Sequence, residues 1–363
     1  MARMGERVDK IAVAVLLSVV SGHALAQPSA SPQQKIVTEA PPGAPVAPFV
    51  DPDKAYLFAH MTRERYGKLF YSVSLDGLHW RRLNGGKMVS EDYHGHPSIV
   101  KAPEGGYILV GNNSDSDHSI RFWRSTDLIH WAPAGTYEPD LSNVQNFPNP
   151  LPRLGAPKLF YDRASARYLL TWHTPNVPWV REDPERLWAS QRTLYVTSRD
   201  LRTFDGPPKL LFDWNIATID TFIVPGDGGS GYCAIVKDER YPSYNWTTGK
   251  TIRVSCAPSL LGPYPMPGPP ISPNFREAPT LIRSPSGQDW LMYYEQYAGV
   301  SYGVSKAPRL EGPWYQIQGN SGVERWNRFH MPAGTRHGWM IEISRKEYEA
   351  IIRAFPETKP HTE

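Results

Sequence analysis

The stretch His96–Asn112, "HPSIVKAPEGGYILVGN", reads as a β-hairpin, with strand residues, a Glu104-Gly105-Gly106 turn, and a return strand rich in Tyr, Leu and Val. Similar phrases follow at 156–174 ("APKLFYDRASARYLLTWHT"), 220–238 ("DTFIVPGDGGSGYCAIVKD") and 278–296 ("APTLIRSPSGQDWLMYYEQ"). A second phrase alternates with them: "SVSLDGLHW" (72–80), "RSTDLIHW" (124–131) and "VTSRDLRTF" (196–204), with weaker forms at 255–264 ("SCAPSLLGPY") and 304–314 ("VSKAPRLEGPW"). Each copy joins strand residues, a turn and a closing aromatic. In the three stronger copies an Asp can cap the turn through its side chain. The aromatic is placed to plug the gap beside the next unit.

Two hairpin phrases per unit give about four strands, which is the content of one propeller blade. Five outer phrases predict five blades, so the expected fold is an all-β, five-bladed β-propeller. A jelly roll is the rival all-β arrangement, but it does not explain the alternation. "AYLFAHM" (55–61) looks like a partial first copy, and "RHGWMIEI" (336–343) reads as the strand that closes the ring with the first blade. "SRKEYEAIIRAF" then predicts a short helix after an N-cap at Ser344, with Ile351 and Ile352 facing inward.

Outside the repeats, residues 1–26 have the form of a secretory signal. Arg3, Arg7 and Lys10 precede the apolar run "IAVAVLLSVV", and Ala24-Leu25-Ala26 forms a small-x-small exit. The run is too short to cross a bilayer, and no later stretch is long and apolar enough. The expected location is periplasmic or secreted, with no membrane attachment after cleavage. Residues 27–52 have the Pro/Ala/Ser composition of a linker, and residues 53–363 form the propeller domain with its C-terminal helix. A formal charge of +3, evenly spread, excludes a nucleic-acid partner from the expectations. Cys233 and Cys256, the only cysteines, sit on strands that read as neighbours, where an oxidising compartment allows a bridge. Sequence sets neither the pairing nor the oligomeric state.

A propeller gathers the openings of its innermost strands around one axis, so "HGHPSI", "GAPKLF", "IDTFIV" and "REAPTL" converge. They contribute His94 and His96, Lys158, Asp220, and Glu277. Asp220 lies inside an apolar run, where an ionised group needs a reason. Glu277 beside Arg276 has a surface ion pair as its bland alternative. Lys237, Asp238 and Glu239 end a hairpin, which is a rim position, and Lys237 is kept among the sugar contacts. His337 either faces the axis or satisfies a turn. Trp179, Trp188 and Trp246 lie in long connecting loops, as stacking platforms or as covers for blade edges.

The order "YLFAHM…SLDGLHW…HPSIV…RSTDLIHW…APKLFYD…IDTFIV…EAPTL…RHG" resembles glycoside hydrolase family 43 over residues 54 to 350. The resemblance implies a five-bladed propeller that cleaves α-L-arabinofuranosides, β-xylosides or related sugars with inversion, acting on chain ends of an oligosaccharide or polysaccharide. It implies Glu277 as general acid, and Asp220 as the group that tunes its pKa and orients substrate. At the place of the family's base aspartate stands His96, and Lys158 stands where many relatives carry Glu. His337 matches a histidine that lies near the axis and can hold an ion or water. No cofactor is required, and a bound cation near the axis is compatible.

Inversion needs a water activated on one face of the sugar and a proton delivered on the other, the two groups being roughly 6.5–9.5 Å apart. A neutral imidazole can take the water's proton. Asp92 is the alternative base, with Asp115 and Asp117 behind it. Two further readings stay open: a propeller that binds glycans without hydrolysis, and a lyase in which histidine abstracts a proton beside a uronate carboxylate that Lys158 neutralises.

Overall fold

The computed structural model describes residues 37–38, 49–113, 118–148, 153–178, 183–244, 247–297, 299, 301–317 and 328–356. The chain forms five sheets. From the axis outward, blade 1 comprises Thr335–Ser344, Lys54–Thr62, Phe70–Ser74 and Arg81–Arg82, and blade 2 comprises Ser98–Lys101, Tyr107–Asn112, Ile120–Ser125 and Ala132–Tyr137. Blade 3 comprises Gly155–Asp162, Arg167–Pro175, Gln191–Ser198 and Lys209–Leu210. Blade 4 has Thr218–Pro225, Tyr232–Asp238 and Thr251–Ala257, and blade 5 has Glu277–Arg283, Trp290–Gln296, Ser301–Ala307 and Tyr315–Ile317. Val37–Thr38 pairs parallel to Tyr315 and Gln316 at the outer edge of blade 5. The five innermost strands contact one another in ring order. The protein is a five-bladed propeller.

The C-terminal strand closes the ring as expected, pairing antiparallel with Lys54–Thr62 from Lys54–Ser344 to Thr62–Thr335. Five apolar clusters fill the gaps between adjacent blades, so the core is distributed between the sheets. Polar pins near the axis tie adjacent blades together. Met340 N donates to Thr280 Oγ1 at 2.9 Å between blades 1 and 5, and Thr171 Oγ1 donates to Thr221 O at 2.9 Å between blades 3 and 4.

The outer turns are built as their sequence dictates. Asp76 Oδ1 accepts from the amides of Leu78 and His79 at 2.8 and 2.7 Å, and Asp127 and Asp200 repeat the pattern. The next residue takes a left-handed conformation (Gly77 φ 72°, Leu128 φ 64°, Leu201 φ 61°), so the motif tolerates a strained leucine. The closing aromatics plug the gap toward the preceding blade, not the next one. Trp80 packs on Tyr293 of blade 5, and Trp131 Nε1 donates to Tyr71 Oη of blade 1 at 2.8 Å.

Blade 4 shows three strands where about four were expected. The segment that follows carries Pro263, Pro265, Pro267, Pro269 and Pro270, which lack the N–H a ladder needs. Gly268 N and Ile271 N still bond to Val254 O and Ile252 O, so the segment lies along the blade's edge without becoming a strand. Cys233 and Cys256 face each other across blade 4 and are disulfide-bonded. The C-terminal helix, Arg345–Ala354, has a capping box between Ser344 and Glu347 and buries Tyr348 and Ile351, with Ile352 half-buried behind them.

No helix among the described residues is long and apolar enough to cross a membrane. The signal segment, Asp115, Asp117, Trp179 and Trp246 lie outside the described residues.

Candidate active site

The inner strands of blades 3, 4 and 5 begin irregularly. Register slips between Thr171 and His173, between Ile219 and Phe222, and between Glu277 and Thr280. At these bulges Ala156, Asp220 and Ala278 hold φ values of 39°, 51° and 49°, unusual for residues with a Cβ. A bulge re-aims the side chains beside it, here around the axial pit. Each blade supplies one group: His337, His96, Lys158, Asp220 and Glu277, from blades 1 to 5.

The two predicted carboxylates meet. Asp220 is buried, and its Oδ2 accepts a 2.9 Å hydrogen bond from Ala278 N, the amide next to Glu277. Glu277 Oε1 lies 3.1 Å from His337 Nε2 and 3.6 Å from Arg336, and its Oε2 lies 3.3 Å from Lys237 Nζ. Burial pushes the Glu277 carboxyl up to about 7; Lys237 opposes the shift, and Asp220 and Glu295 reinforce it. Those opposing influences define a proton that is held yet can be given.

Around this pair sits a shell that the sequence reading did not assign. Glu295 is fully buried and binds Arg336 Nε at 2.5 Å and His337 N at 3.0 Å. Burial raises its pKa as well, against the pull of Arg336. Glu239 is gripped by Lys237 on one oxygen and Lys250 on the other. Lys237, Asp238 and Glu239 are 3%, 0% and 4% exposed, so the rim position expected for them is corrected. Burial alone would lower the Lys237 pKa, but Glu239 and Glu277 carry it upward. The available signal was an ionisable residue inside an apolar strand run ("LMYYEQ", "AIVKDE"), the same signal that marks Asp220.

Three histidine rings line the pit. His96 stacks on His337 with centroids 4.3 Å apart and planes 28° from parallel. Its Nε2 lies 2.7 Å from Tyr66 Oη, and its Nδ1 is buried without a hydrogen-bond partner. His173 accepts on Nδ1 from Asp220 N at 3.4 Å, and its ring occupies the space a side chain at Gly155 would fill, with a Cβ there falling 2.1 Å from Nε2. Burial drives His96 and His173 down to about 3 and His337 well below its ordinary value, so all three rings are neutral at physiological pH. His173 and Tyr66 were not predicted.

Lys158 is buried, its Nζ 3.4 Å from Pro97 O and 5.2 Å from the centre of the Trp339 ring. Burial lowers it to about 8, against the influence of Asp220. His94 is half-buried against Gly67, where a Cβ would sit 2.5 Å from its Nε2, so it supports the loop that presents Tyr66. Asp92, the alternative base, binds Arg121 through both oxygens at 3.0 and 3.1 Å and accepts from Trp123 Nε1 at 3.0 Å. Those partners belong to the third strand of blade 2, away from the axis, so Asp92 serves the blade. Trp188 stacks under Arg153, 5.3 Å from ring centre to guanidinium.

Glu277, Glu295 and His337 bring ligand atoms within 4.8 Å of one another, a set that suits a cation in principle. Lys237 contacts Glu277 and Arg336 contacts both Glu277 and Glu295, so two cationic side chains compete for the oxygens an ion would use.

A buried acid among carboxylates and histidines, at the axis of a five-bladed ring, defines a propeller glycosidase. Residues 51–349 match the family 43-related glycosyl hydrolases, described as "Probable glycosyl hydrolase domain", and the chain belongs to that family. Among solved structures it is similar to a thermostable family-43 glycoside hydrolase (18% identity, 64% of this chain and 73% of that one, TM-score 0.45). It is also similar to an exo-β-1,3-galactanase from Phanerochaete chrysosporium with β-1,3-galactotriose (13% identity, 65% and 53%, TM-score 0.46), spanning about half of that chain. A third likeness is to the native Bacillus subtilis arabinanase (12% identity, 69% and 93%, TM-score 0.44). No curated protein matches the chain.

Proposed function

We propose that this glycosidase is an exported, inverting, exo-acting enzyme in which Glu277 is the general acid, Asp220 positions and tunes it, and His96 receives the proton of the attacking water. One observation carries the reading: the Glu277 side chain is 15% exposed and its proton is held up to about 7, with the Asp220 carboxylate bonded to the adjoining amide. A pit whose working groups are this enclosed suits a chain end. Its terminal sugar is of the pentose or a related type. The Cys233–Cys256 bridge supports export, since such bonds persist in oxidising compartments.

Glu277 donates its proton to the glycosidic oxygen as the C1–O bond breaks. Water adds to C1 from the opposite face and loses its proton to His96. With Nε2–H donating to Tyr66 Oη, the Nδ1 lone pair is the acceptor. The imidazolium, with a pKa of about 3, passes its proton on to solvent at once. The hemiacetal released has the opposite anomeric configuration.

The test is the wild-type enzyme and Glu277→Gln on a panel of aryl glycosides, with proton NMR of the anomer first formed. An essential acid predicts a loss of about 10²- to 10⁴-fold in kcat/KM on substrates with poor leaving groups. A retained anomer or an unaffected variant would overturn the assignment. The low basicity of His96 supports a second reading, a propeller that binds glycans without cleaving them. Saturable binding with no turnover across the panel would establish that one instead.

A further inference from the structure

The cations of the pit fall into two groups. Lys237 is held by Glu239 and Glu277, Lys250 by Glu239, and Arg336 by Glu295 and Glu277. Lys158 and Arg153 differ. Among the described residues neither has a carboxylate oxygen within ion-pair distance, and the only hydrogen bond of the Lys158 ammonium is the 3.4 Å contact to Pro97 O. An ammonium carries three donors, and burying one 5% exposed with its donors mostly unused is costly unless a ligand completes the set. Arg153 is exposed and stacked on Trp188. Both cations lie near enough to His96 and His173 to oppose their protonation.

With Glu277 protonated, as the proposed function requires, the five cations Lys158, Arg153, Lys237, Lys250 and Arg336 face the three carboxylates Asp220, Glu239 and Glu295. The three neutral histidines add nothing. The pit therefore carries excess positive charge, and Lys158 and Arg153 are the members of the set with no carboxylate at ion-pair distance among the described residues.

We infer that the sugar bound here carries a negatively charged substituent, a ring carboxylate or a sulfate ester, which Lys158 receives inside the pit and Arg153 receives at its mouth. A uronic acid has the ring of a pentopyranose with a carboxylate at C5, so the inference narrows the substrate class of the proposed enzyme and rests on that reading for the protonation of Glu277. A charge-assisted hydrogen bond from Lys158 is worth about 1.5–3 kcal/mol, or roughly 10- to 150-fold in discrimination.

Matched aryl glycosides in both anomers give the experiment: glucuronide against glucoside, galacturonide against galactoside, and 6-sulfated against unsulfated galactoside. The wild type should prefer a charged member by at least about tenfold. Lys158→Met should reduce the charged-to-neutral ratio of kcat/KM by about 10- to 100-fold, and Lys158→Arg should keep more of it. Should Lys158→Met fail to fold by circular dichroism, Arg153→Gln at the exposed position should still lower the ratio several-fold. Preference among the charged substrates tells carboxylate from sulfate. A wild type that prefers the neutral members, or a ratio that neither variant moves, overturns the inference while leaving hydrolysis intact. Calorimetric binding of sodium glucuronate or galacturonate, with no turnover or with an unsaturated product absorbing in the ultraviolet, would sink the hydrolytic reading and retain this one.

Discussion

Asp76 and His79 at the outer turn of blade 1, and Glu277 and His96 at the inner openings, pair the same chemical groups in opposite environments. At the turn, burial acts against the Asp76 carboxylate, yet hydrogen bonds from His79 and the amides of Leu78 and His79 hold its pKa below the ordinary range. The same bond raises His79. Around the axis every shift reverses. Burial raises Glu277 and Glu295 and lowers His96, His173 and His337. A turn that satisfies its charged group from its own backbone makes a stable bend and nothing more. A pit that buries several groups from different blades, each incompletely satisfied, keeps protons at the edge of transfer.

Removing an inner group should therefore cost rate without cost to the fold, and the largest such effect after the acid itself is expected at His96. His96→Ala should lower kcat/KM by about 10²- to 10⁴-fold, with the fold retained and Tm lowered only modestly, since the side chain gives up one hydrogen bond, to Tyr66, and its stack on His337. Steady-state kinetics beside a melting curve checks both halves. A variant that keeps wild-type rate would remove His96 from the chemistry and leave Tyr66 or another group to hold the water.

The pH dependence sharpens the contrast. Glu277 must be protonated to act, so kcat/KM should fall as pH rises through about 7, while the basic form of His96 persists down to about 3. The profile is flat on the acid side and drops on the alkaline side. Stability follows the same group. Its folded pKa is raised above the ordinary 4.5, so the folded state holds the extra proton between about 4.5 and 7 and stability declines as pH rises through that window. Glu277→Gln should accordingly raise Tm at pH 8 by a few degrees and leave it nearly unchanged at pH 4. A variant melting lower at pH 8 would mean that the ion pairs to Lys237 and Arg336 outweigh burial.

The blades were legible because each must repeat a local solution: an Asp at a turn, a residue in the left-handed region, an aromatic to fill the gap beside the preceding blade. Those requirements act within a dozen residues and leave a pattern. The convergence of Asp220, Glu277, His96, Lys158 and His337 followed from the architecture, since each opens an inner strand. What stayed hidden lies on second strands. Glu295 and His173 sit within second strands with no turn or opening to mark them, and Glu239 follows directly on the end of one, where a rim position is the local expectation. Their meaning comes from burial against a neighbouring blade, which periodicity within one strand does not contain. Tyr66 sits in a loop whose course is set by the fit of His94 against Gly67, a contact with no sequence signal. The hairpin end points Lys237 to the rim, whereas Glu239, Glu277, Asp220 and Tyr297 surround it.

The smallest effect is expected at the turns, and it completes the test. Asp76→Ala removes the oxygen that accepts from two backbone amides and the partner of His79, which by the measure of lost caps costs about 1–2 kcal/mol of stability. Because the folded carboxyl is depressed, that contribution is full above its ordinary pKa of about 4 and fades as pH falls below it, so the gap in Tm between wild type and variant should close toward pH 2. Asp200→Ala, at a more exposed copy of the same turn, should show less. In both variants kcat/KM should stay within about twofold of wild type, since the outer turns lie at the far edge of their blades from the pit. A large loss of rate with no loss of stability at Asp76 would mean that the turns steer the openings, and the division between scaffold and site would have to be redrawn.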